Sequence, residues 1–385
     1  MEKQQKMDYL NALNAYIEIL NTASAADVNF EDEILVISRN HVKLSNKNYA
    51  EIKECNAVSK NKTIVFIDGG SAVLLQSPQS ILFAVRAAAV FYKNNIRIKV
   101  ARHDIYCLAK AVYRENGKLS YEIEMFQGKY NGREGILPEE FLKFSVDSRH
   151  ESLIEGRLDA KLEKTADIAS RNAELLLGAG IAAELSEGDV IVFDGTFQNL
   201  LQGQETAFER LKQCASEKKA IIIALSKTSS ILTLSGRNPF FLLRQHGPKK
   251  EWVYNAGIIK EEQDKKQEED KEEFNKKAHE NKEEHEELYA YFLKLNACSA
   301  HIFKADSPDA VSEEIFSLLS ANSNDAVFAG YPFGLIDADQ FARISRLEAQ
   351  SLKAEMMINA GKDWALIKDN LAASDAHEIL DKIRY

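Results

Sequence analysis

The chain has 385 residues, 45% hydrophobic and 28% charged, ordinary proportions for a globular protein that can bury a sizeable core. No apolar run is long enough to span a bilayer, and the polar start MEKQQKMDYL does not read as a secretory signal, so a cytoplasmic protein without a membrane segment is expected. Cys55, Cys107, Cys214 and Cys298 are far apart with no CxxC pair, which argues against a disulfide framework or a zinc knuckle.

The net charge is −10, but Lys260 to Glu287 alone holds 13 acidic and 7 basic residues, or −6, which leaves −4 for the rest. A near-neutral body can carry a basic groove, so the total does not exclude a nucleic-acid partner.

In chain order, Leu10, Leu13, Tyr16, Ile17 and Leu20 give Met7 to Thr22 the spacing of an amphipathic helix. Ile34 to Ser38 reads as a strand, and so does Val58 to Ile67, which runs into Asp68 and the pair Gly69-Gly70. That motif, TIVFIDGGS, reads as a buried strand ending at Asp68, with glycines for a sharp turn and room beside the carboxylate. The Ala- and Leu-rich stretch Ser77 to Tyr92 has a helical pattern. Ile96 to Arg114 alternates as one or two strands, Asn116-Gly117 marks a hairpin, and LSYEIEMF is the return strand.

Ser148 to Glu187 reads as a long charged helix leading into VIVFDGTF, where Asp194 ends a second apolar strand. A helix around Glu205 to Glu217, the strand AIIIALSKTS, a loop at RNPFFLLRQHGP and the strands WVYNAGII and LYAYFLKLN follow. Between the last two lies a segment nearly free of apolar residues, 260–287, read as a charged insertion that is a solvated helix or disordered. HIFKA reads as a strand, Ser312 to Ala321 as a helix, AVFAGYP as strand and turn, and Asp337 onward as a helix. No repeat of solenoid period is present.

Taken singly, an aspartate beside glycine at a strand end is a turn former. Two of them, Asp68 and Asp194, raise the prospect of a shared site for a hard divalent cation, with a helical glutamate as a third ligand. There is no GxxxxGK[ST], so a P-loop ATPase is excluded. His150, His279, His285 and His377 lack a second histidine at zincin spacing, and VFDGT has Val192 where a phosphatase nucleophile motif needs aspartate. FIDGGS also fits the phosphate-binding turn of actin-like ATPases and sugar kinases, the main rival. Ser226-Lys227 could be a hydrolase dyad, a phosphate contact or an ordinary loop pair. Tyr331 could stack on a base or pack in the core.

The order FIDGGS, RNAELLLGAGIAAEL leading into DVIVFDGTF, IIALSKTSS, YFLKLN and GYPFGLIDADQFARIS, from Thr63 to Ser345, resembles the NurA-type nuclease family, the partner of the HerA hexameric translocase in DNA end resection. The resemblance implies a ribonuclease H-like mixed α/β sheet with flanking helices. It also implies Mn²⁺- or Mg²⁺-dependent cleavage of single- and double-stranded DNA, as a 5′-to-3′ exonuclease and single-strand endonuclease, and a homodimer.

Carried over by position, Asp68, Glu174 and Asp194 become metal ligands and Lys227 faces the phosphate. Tyr331 opens the last motif, and Asp339 lies eight residues on, where the resemblance leads one to expect His in a number of relatives. An aspartate there can hold a metal but does not readily donate a proton at neutral pH. Glu155 is the alternative to Glu174, which is favoured because RNAE opens the apolar helical face leading to Asp194.

The expected protein is therefore a single nuclease domain over residues 1–385 with its core at about 30–350, running metal-assisted phosphodiester hydrolysis in double-strand break repair. Asp68, Glu174, Asp194 and Asp339 hold metal, and Lys227, Lys294, Tyr331 and Arg343 meet DNA. Without a P-loop, translocation energy comes from the HerA-type ATPase. The rivals are an ATP-binding protein of the actin-like or sugar-kinase type, which binds ATP with magnesium alone, and a non-catalytic adaptor of a DNA translocase, which shows partner binding without cleavage.

Overall fold

Residues 10–18 are helical, as the spacing of Leu10, Leu13 and Ile17 implies, and all of them are exposed. The computed structural model describes residues 10–18, 29–37, 39–55, 61–114, 117–130, 137–150, 153, 160–227, 231–261, 286–326 and 328–371. Glu155 and residues 262–285 of the expected charged insertion lie outside the described residues.

Strands β1 (Ile34–Ile37), β2 (Asn40–Lys43) and β3 (Tyr49–Glu51) precede a long meander. Its strands are β4 (Thr63–Ser77), β5 (Ser80–Lys93), β6 (Ile96–Tyr113), β7 (Leu119–Tyr130) and β8 (Lys143–Asp147). Then come α1 (Lys164–Ala182), β9 (Val190–Asp194), α2 (Gln202–Lys218), β10 (Ile221–Ser226), β11 (Leu232–Thr233) and α3 (Pro239–His246). The chain continues with β12 (Trp252–Glu261), β13 (Glu286–Lys294), β14 (Phe303–Ser307), α4 (Glu313–Ala321), α5 (Phe333–Ala342) and α6 (Arg346–Ala360).

Five expectations are corrected. Asp68 does not end a strand, because β4 runs on through Gly69 and Gly70 to Ser77. Ser80–Lys93 is a strand and not a helix: it sits between two paired neighbours and is buried almost throughout, which removes any alternation from its sequence. Of the helix expected over Ser148 to Glu187, the described residues 148–150 and 160–163 are not helical, and α1 spans Lys164–Ala182. RNPFFLLRQHGP is not a loop, since Asn238 accepts from Phe240 N and caps α3, with Pro239 in its first turn. Within AVFAGYP the described residues Phe328 to Gly330 form a turn instead of a strand, and Tyr331 N donates to the Phe328 carbonyl at 3.1 Å.

The chain divides into two compact units, Met1–Cys55 with Leu225–Tyr331, and Asn56–Ala224 with Pro332–Tyr385. In the first, β11-β1-β2 form a small antiparallel sheet, and β3-β12-β13-β14 lie in that order with antiparallel pairings. Phe30, Leu243, Trp252, Tyr254 and Phe292 are the heart of its core. Tyr49 and Tyr254 bury their rings there and turn their hydroxyls to Leu243 O, at 2.9 Å, and Ser45 N, at 3.0 Å.

In the second unit the strand order is β10-β9-β4-β5-β6-β7-β8. Strands β4 to β8 pair antiparallel, whereas β9 pairs parallel to β4 with Ile64 against Val190 and Ile67 against Phe193. The β5–β6 hairpin turns at Asn94 and Asn95, both at positive φ (56° and 60°), the backbone of a tight hairpin turn. Helix α1 packs on one face and α5 on the other. Buried Asp337 of α5 accepts from Tyr92 Oη at 2.8 Å and is paired with Arg97 at 2.8 Å, which fixes α5 to β5 and β6. Arg86 of β5, also buried, binds Asp104 of β6 and both carboxylate oxygens of Glu348 in α6. The unit is thus mixed α/β, a mixed sheet with helices on both faces.

Candidate active site

Successive residues of a strand face opposite sides of its sheet. On β4, a Cβ added at Gly69 would overlap Glu174 Oε1 and Ser170 Oγ of α1. One added at Gly70 would stand 2.5 Å from the Ala342 carbonyl oxygen at the end of α5. The two glycines therefore admit a helix on each face, and Asp68 shares its face with Gly70 and α5. The parallel register ends at Ile67 and Phe193, so the next residues on the two strands, Asp68 and Asp194, stand side by side. Asp68 Oδ1 accepts from Gly69 N at 2.8 Å. Strand β9 stops at Asp194, and Gly195 takes a φ of 98° that turns the chain out of the sheet there.

Glu174 comes from α1 and is buried. Its Oε2 accepts from Arg171 Nη1 at 2.7 Å, one helical turn earlier. The same guanidinium donates to the Asp194 carbonyl at 3.0 Å and, through Nη2, to the Thr196 carbonyl at 2.8 Å. Its plane lies 5.5 Å from the ring centres of both Phe193 and Phe197. Burial pushes the Glu174 carboxyl above its ordinary pKa; Arg171 pulls it back and the charge of Asp194 adds to the rise. Ser170 Oγ is buried without a hydrogen-bond partner.

Asp339, on α5, is half-exposed and accepts from Arg343 Nη2 at 2.7 Å, so these two expected site residues are held to each other. In the first unit, Lys227 follows β10, and its ammonium lies 5.1 Å from the ring centre of Tyr331. Tyr331 is buried among Phe303 and Phe328. Lys294 is buried at the end of β13, where its Nζ donates to the Lys249 carbonyl at 3.2 Å.

The second unit thus brings Asp68 alongside Asp194, with Glu174 over Gly69 from the other side, and the end of α5 against Gly70. Arg171 and Ser170 were missed by the motif reading, although both lie next to or within the RNAE segment. The signal was the spacing, since Arg171 and Glu174 are three apart on a helix and so share a face.

The donor set is carboxylate oxygen throughout, the chemistry that hard divalent cations prefer. Glu174 is a buried acid whose charge is resisted by burial and by Asp194, so a cation would relieve it, and Asp68, Glu174 and Asp194 match such an ion in donor type. Among the described residues no three His, Cys, Asp or Glu side chains are gathered tightly enough to hold a metal ion as they stand. Nor, among those residues, is any helix long and apolar enough to cross a membrane.

No curated protein matches the sequence. Among solved structures, the chain is similar to the NurA nuclease from Sulfolobus solfataricus, at 14% identity and a TM-score of 0.49, over 94% of this chain and 98% of that one. It is also similar to the A. aeolicus Argonaute, at 10% identity and a TM-score of 0.30, over 76% of this chain and 29% of that one. The catalytic domain of human endonuclease V aligns at 10% identity and a TM-score of 0.29, over 78% of this chain and 91% of that one. The family model for the NurA domain matches residues 62–344, well over half of the chain, from just before β4 to just after α5. The chain belongs to the NurA family of nucleases, hydrolases of phosphodiester bonds.

Proposed function

We propose that the chain is a divalent-metal-dependent DNA nuclease with a ribonuclease H-like core, a 5′-to-3′ exonuclease and single-strand endonuclease. It works as a cytoplasmic homodimer in DNA end resection and double-strand break repair, with a HerA-type hexameric ATPase supplying translocation. Both units together form the nuclease domain, since the family match runs through parts of each. The observation that carries the reading is the parallel register that sets Asp68 beside Asp194, with Glu174 reaching Gly69 from α1. An antiparallel meander of five strands, a sixth strand parallel to the first and helices on both faces, with acids on the first and sixth strands and on the helix between, support the ribonuclease H-like description.

Asp68, Glu174, Asp194 and Asp339 hold the metal. A bound Mn²⁺ or Mg²⁺ supplies neutralisation of phosphate charge and polarisation of the phosphodiester. Lys227, backed by the Tyr331 ring, together with Lys294 and Arg343 meets the charge of the DNA backbone. Asp68 Oδ1 is held by the Gly69 amide, which orients the carboxylate beside Asp194.

The test is a cleavage assay on end-labelled single- and double-stranded DNA with Mn²⁺. The full chain is expected to degrade both, and Asp68→Ala or Asp194→Ala to bring cleavage below detection while leaving the melting temperature near that of the wild type. Unchanged cleavage in either variant sinks the assignment. Calorimetry with MgATP separates the nuclease from an actin-like ATPase, and no binding heat is expected.

A further inference from the structure

We infer that Arg171 is the positioning residue of this site: by gripping Glu174 Oε2 together with the Asp194 and Thr196 carbonyls, it fixes Glu174 so that Oε1 alone is presented to the strand of Asp68. The inference rests on the metal-dependent reading above and adds to it a residue that touches neither metal nor DNA.

Three acceptors on two separate elements converge on one guanidinium, at 2.7, 3.0 and 2.8 Å. One belongs to α1, one to Asp194, the last residue of β9, and one to Thr196 in the turn that follows it. Arg171 is therefore the link that sets the distance between the helix of Glu174 and the strand end of Asp194. Its side chain is only 14% exposed and lies against Phe193 and Phe197, so the fork has little freedom to swing.

The two oxygens of Glu174 are consequently not equivalent. Oε2 is taken by Arg171, while Oε1 lies over Gly69, where only the absence of a Cβ leaves it room. The hydroxyl of Ser170, one helical turn before Glu174, faces the same glycine. A guanidinium that only stitched α1 to β9 would be satisfied by the two carbonyls. The third bond goes to the one buried carboxylate of the site. Lysine has three donors but all on one nitrogen, so it cannot match acceptors that here engage two nitrogens of a planar fork.

Mn²⁺ titrated calorimetrically into the full chain tests this without relying on turnover. Arg171→Lys is expected to weaken Mn²⁺ binding by about 10–100-fold, the usual loss when a group that orients a metal ligand is removed. In steady-state cleavage it should lower kcat with little change in KM for DNA. Because Arg171 acts through Glu174, the double variant Arg171→Lys, Glu174→Gln should bind Mn²⁺ no more weakly than Glu174→Gln alone.

In Arg171→Ala, millimolar guanidinium should restore part of the Mn²⁺ affinity where equal sodium chloride does not. That comparison is made within one protein, so a loss of stability cannot imitate it. Wild-type Mn²⁺ affinity in Arg171→Lys, losses that simply add in the double variant, or no guanidinium effect would overturn the role of Arg171 and leave the nuclease reading standing. A wild-type chain that takes up no Mn²⁺ would bring down both.

Discussion

At Gly69 an added methyl would run into the ends of two side chains, whereas at Gly70 it would meet the carbonyl of Ala342, which is backbone and cannot swing aside. The two substitutions should therefore fail differently. Gly70→Ala is expected to destabilise the fold by about 1–3 kcal/mol through overpacking, read as a lowered denaturation midpoint. Gly69→Ala should cost less stability but displace Glu174, lowering kcat at least as much as Arg171→Lys does. If Gly69→Ala cleaves normally, Glu174 does not act from over this glycine. The DGGS motif announced small residues near an acid but not why they are small. A turn and a close helix leave the same glycine signature, and only the continued pairing of β4 past Asp68 tells them apart. Two apolar runs each leading into Asp-Gly suggested one sheet for both acids, though not that their strands are neighbours. The fork of Arg171 was not, because its carbonyl acceptors have no sequence signature.

Strand β5 shows where element-scale reading breaks down. SILFAVRAAAVFYK is rich in alanine and lacks alternation, which favours a helix by propensity, yet the chain there is a central strand with Asp337 of α5 reaching Tyr92 on one face. Small residues suit a strand pressed from both sides, and tertiary context overrides propensity. Helix α3 was legible in principle, since Asn238-Pro239 is a cap followed by a first-turn proline.

Helix α6 buries none of its residues, and the Glu348–Arg86 pair ties it to the sheet. Hydrogen bonding to Arg86 holds the Glu348 carboxyl below its ordinary pKa, despite some burial acting against it. The stability this pair contributes is therefore complete above the unfolded glutamate value and is lost as pH falls through the lowered folded one. Melting temperatures measured from neutral to strongly acidic pH should drop across that window, and Glu348→Gln should flatten the drop. An identical acid profile in the variant would show that α6 is held by something else. Arg86→Ala, which strands Asp104 and Glu348 beside a buried gap, should cost on the order of 2 kcal/mol.

For the whole molecule, a net charge of −10 means that DNA affinity must come from local cations and not from the overall field. Binding should weaken linearly in log affinity against log salt. Lys227→Ala and Arg343→Ala should each reduce that slope by roughly one, uniformly across DNA sequences. Filter binding with calcium in place of manganese, at several salt concentrations, reads this directly. A slope that neither variant changes would remove both residues from the DNA contact. The mixed α/β class was legible from the number and spacing of apolar runs. The strand order was not, since sequence pattern carries no information about which distant strand β4 will choose.

That choice has a kinetic consequence. Strands β4 to β7 are neighbours in sequence and can zip together as successive hairpins, whereas Val190 must return to Ile64 across the whole meander and α1. Closing so large a loop is entropically slow, so the pairing that seats Asp194 should be among the last to form. In refolding from denaturant, circular dichroism should recover its strand signal before Mn²⁺ affinity returns. During that lag the chain would be folded in outline yet unable to cut, a built-in delay between making the sheet and arming it.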